Sequence, residues 1–324
     1  MRDEILVDVI RGDLLESEHR GSLVLLAADS SVLVSLGETD VPMFPRSSNK
    51  PMQAVGMVEA GLHLEPALLA LAAASHSGGP EHVAGAERML AQHGRTAADL
   101  QCAIGMPIGD NERRSYIRAG GEPARVVTDC SGKHAAFIAT SVINEWPLDS
   151  YLDRSHPVQV ACRAAVERLA GEPVASVSVD GCGAPLFALT LTGLARAFRA
   201  MAVAPSSTPE GRVADAMRAH PEMVGGIGRD VTVAMQQVPG LIAKDGAEAV
   251  LAMALPDGRA MALKISDGTR RGVQTVMAAV LEAWGTPAAV IAALPTPSVL
   301  GGGVPQGAIA QSVQLRSALT NLPR

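Results

Sequence analysis

The 324-residue chain is short of aromatic side chains: four Phe, two Tyr and two Trp, 2% of the residues. Recognition of bases or sugars by ring stacking is therefore disfavoured, and the core must be built from Ala, Val, Leu, Ile and Met. It also has no run of basic residues and a net charge of −6, which argues against a polyanionic partner such as nucleic acid. No stretch of 18 apolar residues occurs, so no membrane-spanning helix is expected. The opening MRDEILVDVIRGD carries acidic residues inside its only apolar stretch and does not read as a secretion signal, which makes a cytoplasmic protein the expectation. There are only four cysteines, Cys102, Cys130, Cys162 and Cys182. In that setting they are free thiols or metal ligands rather than a disulfide framework. Cys102 and Cys162 read as inert buried thiols.

The scarcest charged residue is lysine. Of the 27 basic residues four are lysines (Lys50, Lys133, Lys244 and Lys264), leaving 23 arginines. Lysine can lose its proton under moderate desolvation, whereas a guanidinium effectively cannot. A position that keeps lysine in so arginine-biased a chain is therefore a candidate for chemistry. Hydrophobic residues make up 48% and charged residues 19%, the balance of a soluble globular protein able to bury a sizeable core.

Ser22–Asp29 and Val32–Glu38 are apolar, partly β-branched runs separated by Ser30-Ser31, and read as a hairpin. PMQAVGMVEAGL, from Pro51, has helical spacing with Pro51 in the first turn. Residues 66 to 237 are mostly helical in pattern. Strand signals return at Gly240–Lys244, Ala249–Leu255 and Ala260–Ser266, followed by a helix within TRRGVQTVMAAVLEAWG. Strands at both ends and helices between them predict one domain over 1–324. Its sheet would be assembled from about 1–45 and 238–324, with a helical lobe over about 46–237.

Ser47-x-x-Lys50 places a hydroxyl and an amine one turn apart at a helix start. A serine becomes a nucleophile when a base removes its proton, and a lysine is a base only when neutral. Bringing its pKa from about 10.4 to near 7 costs roughly 4–5 kcal/mol, which burial and a second nearby cation can impose. The alternative is an N-cap serine beside a surface lysine. Ser75, in ASHSG, and Lys244-Asp245-Gly246 complete a serial order shared with the penicillin-recognising serine hydrolases, whose sheet also joins both termini around a helical lobe. DCSGKHAAF and VDGCGAP offer Cys130 and Cys182 as soft ligands, with Lys133 as an unusual third if deprotonated. Asp180 could instead grip a substrate ammonium group. On spacing alone a metal site remains one reading among several.

The stretches SEHRG, PRSSNKPMQA, ASHSG, CSGKH, SHPVQ, VDGCGAP, HPEMVGGIGR and KISDG, spread over nearly the whole chain, resemble those of the rhizobial-type, class 3 L-asparaginases of the asparaginase II family. The resemblance implies an α/β fold similar to the serine β-lactamases, an αβα sandwich with an antiparallel sheet. It implies hydrolysis of L-asparagine to aspartate and ammonia through an acyl-serine, in a homodimer, by two Ser–Lys pairs: Ser47 with Lys50, and Ser75 with Lys244. Zinc is implied at Cys130, Lys133 and Cys182. Asp180 with Gly181 is implied in substrate binding. Arg46 reads as a carboxylate ligand or a structural partner, and His134 as a hydrogen-bonder in the substrate site rather than a base. Three departures stand out: Met106-Pro107 where His-Pro is expected, Asp245 beside Lys244, where it could raise the lysine's pKa, and a poor match after Trp284. A glutaminase or β-lactamase-like hydrolase, and a zinc-holding amino-acid-binding protein without turnover, are the alternatives.

Overall fold

The computed structural model describes residues 3–322. Ten strands are present: β1 (Glu4–Arg11), β2 (Leu14–Leu26), β3 (Val32–Leu36), β4 (Ser176–Val179), β5 (Pro185–Ala188), β6 (Ile242–Gly246), β7 (Val250–Ala254), β8 (Ala260–Ile265), β9 (Val299–Gly301) and β10 (Val304–Gln311). Eight form one antiparallel sheet in the order β6-β7-β8-β2-β1-β10-β9, with β3 on the edge of β2 that β1 also uses. The sheet thus draws on both ends of the chain, and a helical lobe lies between them in sequence. This is the expected α/β class.

The strands differ in how their sequences encode them. Every residue of β7 is fully buried, as is nearly all of β8, so these read as continuous apolar runs covered on both faces. The helix Leu191–Val203 packs on β2, β7 and β8, and the helices Val273–Ala283 and Val313–Thr320 pack on β1 and β10. The first hairpin is longer than its apolar run suggests. β2 begins at Leu14, not Ser22: Leu14–Glu18 is exposed and is held to β1 by backbone pairing and an Arg11–Glu16 ion pair. Without a buried face those residues show no period-2 signal, and the mostly exposed β10 is hidden for the same reason. The turn at Pro256–Arg259 joins β7 and β8.

The helix Lys50–Glu59 is anchored by a close crossing. A Cβ on Gly56 would lie 2.7 Å from the Ala161 carbonyl and 2.9 Å from Cys162 Cα, so only glycine lets this helix approach Pro157–Ala170. That contact fixes the element that carries Lys50.

Candidate active site

Arg46–Asn49 forms a 3-10 turn that passes into the α-helix at Lys50. Ser48 is fully buried and its Oγ donates to the Pro45 carbonyl at 2.7 Å, which leaves Ser47 as the hydroxyl available to solvent. Arg46 adopts a left-handed backbone (φ 52°), an uncommon conformation for a branched-out side chain and one that recurs at functional sites. Asp180 holds it there through a 2.8 Å ion pair to Nε.

Lys50 is fully buried, and its Nζ donates to Ser75 Oγ at 2.8 Å and to Cys130 Sγ at 3.0 Å. Ser75 itself is pinned by its N–H to the Val224 carbonyl, and the next N–H, of His76, reaches the Asp129 carbonyl. The expected pairing is therefore corrected: Lys50 is hydrogen-bonded to Ser75, not Ser47. The reason is reach. The four-carbon stem runs past its own turn into a pocket walled by two other loops. The charge expectation is corrected as well. Burial alone would lower the Lys50 pKa, but the negative charge of the coupled Cys130–Cys182 pair and of Asp129 outweighs it and holds the amine protonated above the ordinary lysine range.

Lys244 lies on β6, entirely buried, and donates to both Asp245 Oδ1 (2.8 Å) and the Asp245 carbonyl (2.6 Å) rather than to Ser75. Burial pushes its pKa down, Asp245 pushes it up, and the Lys50 charge pushes it down again; the outcome is a fall from 10.5 to about 8. The neighbouring carboxylate does not cancel the desolvation. Asp245 is also met by Arg229 (2.5 Å) and Arg270 (2.9 Å), and Arg270 reaches Asp230 at 2.6 Å. Gly246 then brings β6 against the 3-10 turn: a Cβ there would sit 2.6 Å from the Pro45 carbonyl and 3.3 Å from the Ser47 nitrogen.

Ser47 and Ser75 open onto one cavity of about 440 Å³, whose wall also includes Ile108, Asp129, Arg229, Asp245 and Arg270. Ile108 and Asp129 are shared with a smaller hollow of about 210 Å³ bordered by Cys130, Gly181 and Cys182. Lys50 and Lys244 lie behind this wall, close enough for each to bear on the other's proton.

The thiols meet as the spacing suggested. Cys130 caps the helix Ser131–Ile143, and Cys182 sits in the turn between β4 and β5. Cys130 and Cys182 act on each other's proton, their contact lowering the Cys182 pKa and raising that of Cys130, whose thiol donates to Asp129 Oδ2 at 3.5 Å. Lys133 Nζ lies 3.4 Å from Cys182 Sγ. His134 Nδ1 meets the Tyr151 hydroxyl at 2.9 Å, and the imidazole also bears on Cys182, whose pKa it helps to lower. Two sulfurs and one amine suit zinc only if Lys133 is a neutral ligand, because no group of three His, Cys, Asp or Glu among the described residues is placed to hold a metal.

Of the expected substrate contacts, Gly181 borders the smaller hollow. Asp180 accepts from Arg46 and from the Gly181 N–H, both at 2.8 Å. Arg46 and Asp180 thus hold each other. His134 is fully buried and borders neither hollow, a correction to its place among substrate ligands. Arg229, Asp129 and Arg270 were missed as cavity residues. Arg229 closes the HPEMVGGIGR stretch and Asp129 opens DCSGKH, so both stood beside noted motifs. Arg270 had no signal.

The sequence profile of L-asparaginase II matches residues 7–310. No curated protein matches the chain. Among solved structures, one of Mglu in its native form is 14% identical, over 76% of this chain and 59% of that one, at a TM-score of 0.40. A second Mglu structure is 16% identical over 78% and 64%, at 0.33. A third, of Mglu in its glutamate form, is 17% identical over 78% and 57%, at 0.32. The chain spans about three fifths of the length of these structures.

Proposed function

Because the chain belongs to the L-asparaginase II family, we propose that it hydrolyses L-asparagine to L-aspartate and ammonia through an acyl-serine. The observation that carries this reading is the buried Lys50–Ser75 hydrogen bond behind a cavity that Ser47 shares. Two amines with opposed environments stand behind two hydroxyls, and pKa values pushed apart in this way suit one to act as acid and the other as base.

Ser47 Oγ attacks the side-chain amide carbon. Its proton passes to Lys244, the amine whose pKa of about 8 makes the neutral form accessible near neutral pH. The Ser47 N–H, in the first turn of a 3-10 segment, lies close to the β6 backbone at Gly246 and helps to hold the developing oxyanion. Lys50, as an ammonium, delivers a proton through Ser75 to the departing nitrogen, which leaves as ammonia. Water then attacks the ester and returns a proton through Ser75 to Lys50, and Lys244 reprotonates Ser47. Both amines end as they began. This exchanges the partners within the two Ser–Lys pairs relative to those the family resemblance implied.

Asp180, next to Gly181 in the chain, takes the substrate ammonium, and Arg46 acts as its structural partner. Zinc, held by Cys130, Lys133 and Cys182, would act as a Lewis acid at that edge of the pocket, and no step above runs through it.

The test is ammonia release from asparagine and glutamine by the wild type, Ser47→Ala and Ser75→Ala, with rapid-quench mass spectrometry for an adduct on Ser47. Turnover in Ser47→Ala within tenfold of wild type, or an adduct on Ser75, overturns the assignment. A preference for glutamine redirects the substrate while leaving the chemistry in place.

A further inference from the structure

The proposed reading leaves the substrate α-carboxylate without a ligand, since Arg46 is committed to Asp180 and borders neither hollow. The geometry points to Arg229 as the specificity-determining residue that binds this carboxylate. The inference rests on the asparaginase reading above and deepens it.

Three observations lead to Arg229. It lines the cavity that holds Ser47 and Ser75, and that cavity shares Ile108 and Asp129 with the smaller hollow bordered by Gly181, so a zwitterion lying across that boundary has Arg229 on its cavity side. Its guanidinium is only partly committed: Nη2 donates to Asp245 Oδ2, and among the described residues no other hydrogen bond from its side chain is found. The residue lines the cavity, and its side chain keeps 23% of its surface exposed. A guanidinium edge of this kind matches a carboxylate in two-point fashion.

Charge counting agrees. With Lys244 neutral as the proposed base, Arg229 and Arg270 balance Asp245 and Asp230, so these four groups present no net negative charge to an incoming carboxylate. Arg270 is the weaker candidate, because its two terminal nitrogens are taken by Asp245 and Asp230. Asp245, paired with both Arg229 and Arg270 and hydrogen-bonded by Lys244, holds the Arg229 guanidinium in place and cannot itself repel the ligand with a full free charge. Selectivity for an amide bearing a neighbouring carboxylate follows.

The experiment compares asparagine with 3-aminopropanamide, which is asparagine without its α-carboxylate, in wild type, Arg229→Gln and Arg229→Lys. Loss of a charge-assisted pair corresponds to roughly 10- to 100-fold. Arg229→Gln is expected to lose that factor in kcat/KM on asparagine and less than about threefold on 3-aminopropanamide. Arg229→Lys should recover part of the loss. Where the analogue turns over too slowly, competitive inhibition by L-aspartate against 3-aminopropanoate gives the same comparison. Equal loss on both compounds, or no loss on asparagine, overturns the role of Arg229 and leaves the asparaginase reading intact. Ammonia release from neither compound by the wild type overturns both. Urea midpoints of the variants check that each is folded.

Discussion

Asp245→Asn is the perturbation most sharply specified by the structure. The carboxylate is 3% exposed and neutralises Lys244, Arg229 and Arg270. Burial favours its neutral acid, but the three cations reverse this and hold its pKa well below 3.8. Asparagine keeps the volume and one accepting oxygen but removes the charge. Breaking a buried pair by deleting one partner costs about 3–5 kcal/mol. The lower end applies, because Arg270 retains Asp230 and Lys244 retains the residue 245 carbonyl. About 3 kcal/mol is a large part of a typical stability of 5–15 kcal/mol, and with an m-value near 3 kcal/mol/M it lowers the urea midpoint by about 1 M. A depressed carboxylate pKa stabilises the fold above the unfolded value and ceases to do so as pH falls. The gap between variant and wild type should accordingly narrow below about pH 4, and narrow again as pH rises toward 8, where Lys244 keeps its proton longer in the wild type than in the variant. A second readout concerns Lys244. Asp245 raises its pKa, so removal takes the amine below about 8, and the ascending limb of the pH–rate profile should move to lower pH. An unchanged urea midpoint refutes the packing argument, and a limb that stays or moves upward refutes Lys244 as the base.

Three further outcomes are expected. Lys50→Arg keeps the charge but neither fits the buried Nζ position beside Ser75 nor yields a proton, so kcat should fall by about 10³ or more; a loss under tenfold would contradict the proton relay. Gly246→Ala inserts a Cβ 2.6 Å from the Pro45 carbonyl, displacing the turn that carries Ser47, and should lower kcat/KM by roughly 10²-fold with stability little changed; activity within threefold of wild type would show that the close approach is unimportant. If zinc is held by the two thiols and Lys133, cobalt(II) titration should give one thiolate charge-transfer band per chain that Cys182→Ser abolishes. A chain that stays colourless and binds no metal excludes that centre.

The site was legible in the sequence up to a point. Scarce lysines singled out Lys50, Lys133 and Lys244, and all three are buried at the site, since a chain rich in arginine at its surface has little other use for lysine. The meeting of Cys130 with Cys182 was readable from two loops bearing the same chemistry. The Arg229–Asp245–Arg270 network was not, because its members come from three separate elements and no spacing rule links them. The start of β2 and most of β10 escaped notice because exposed strands carry no burial pattern to read.

By itself the sequence determined the class of fold, through apolar runs at both ends that can only be satisfied by pairing with each other, and it determined which nucleophiles and amines are available. Tertiary structure alone decided which hydroxyl each amine touches and which amine carries the proton. Those choices depend on the reach of long side chains across loops far apart in the chain, and on the balance between lost solvation and nearby charge. Both are properties of a position in space, and the order of residues does not contain them.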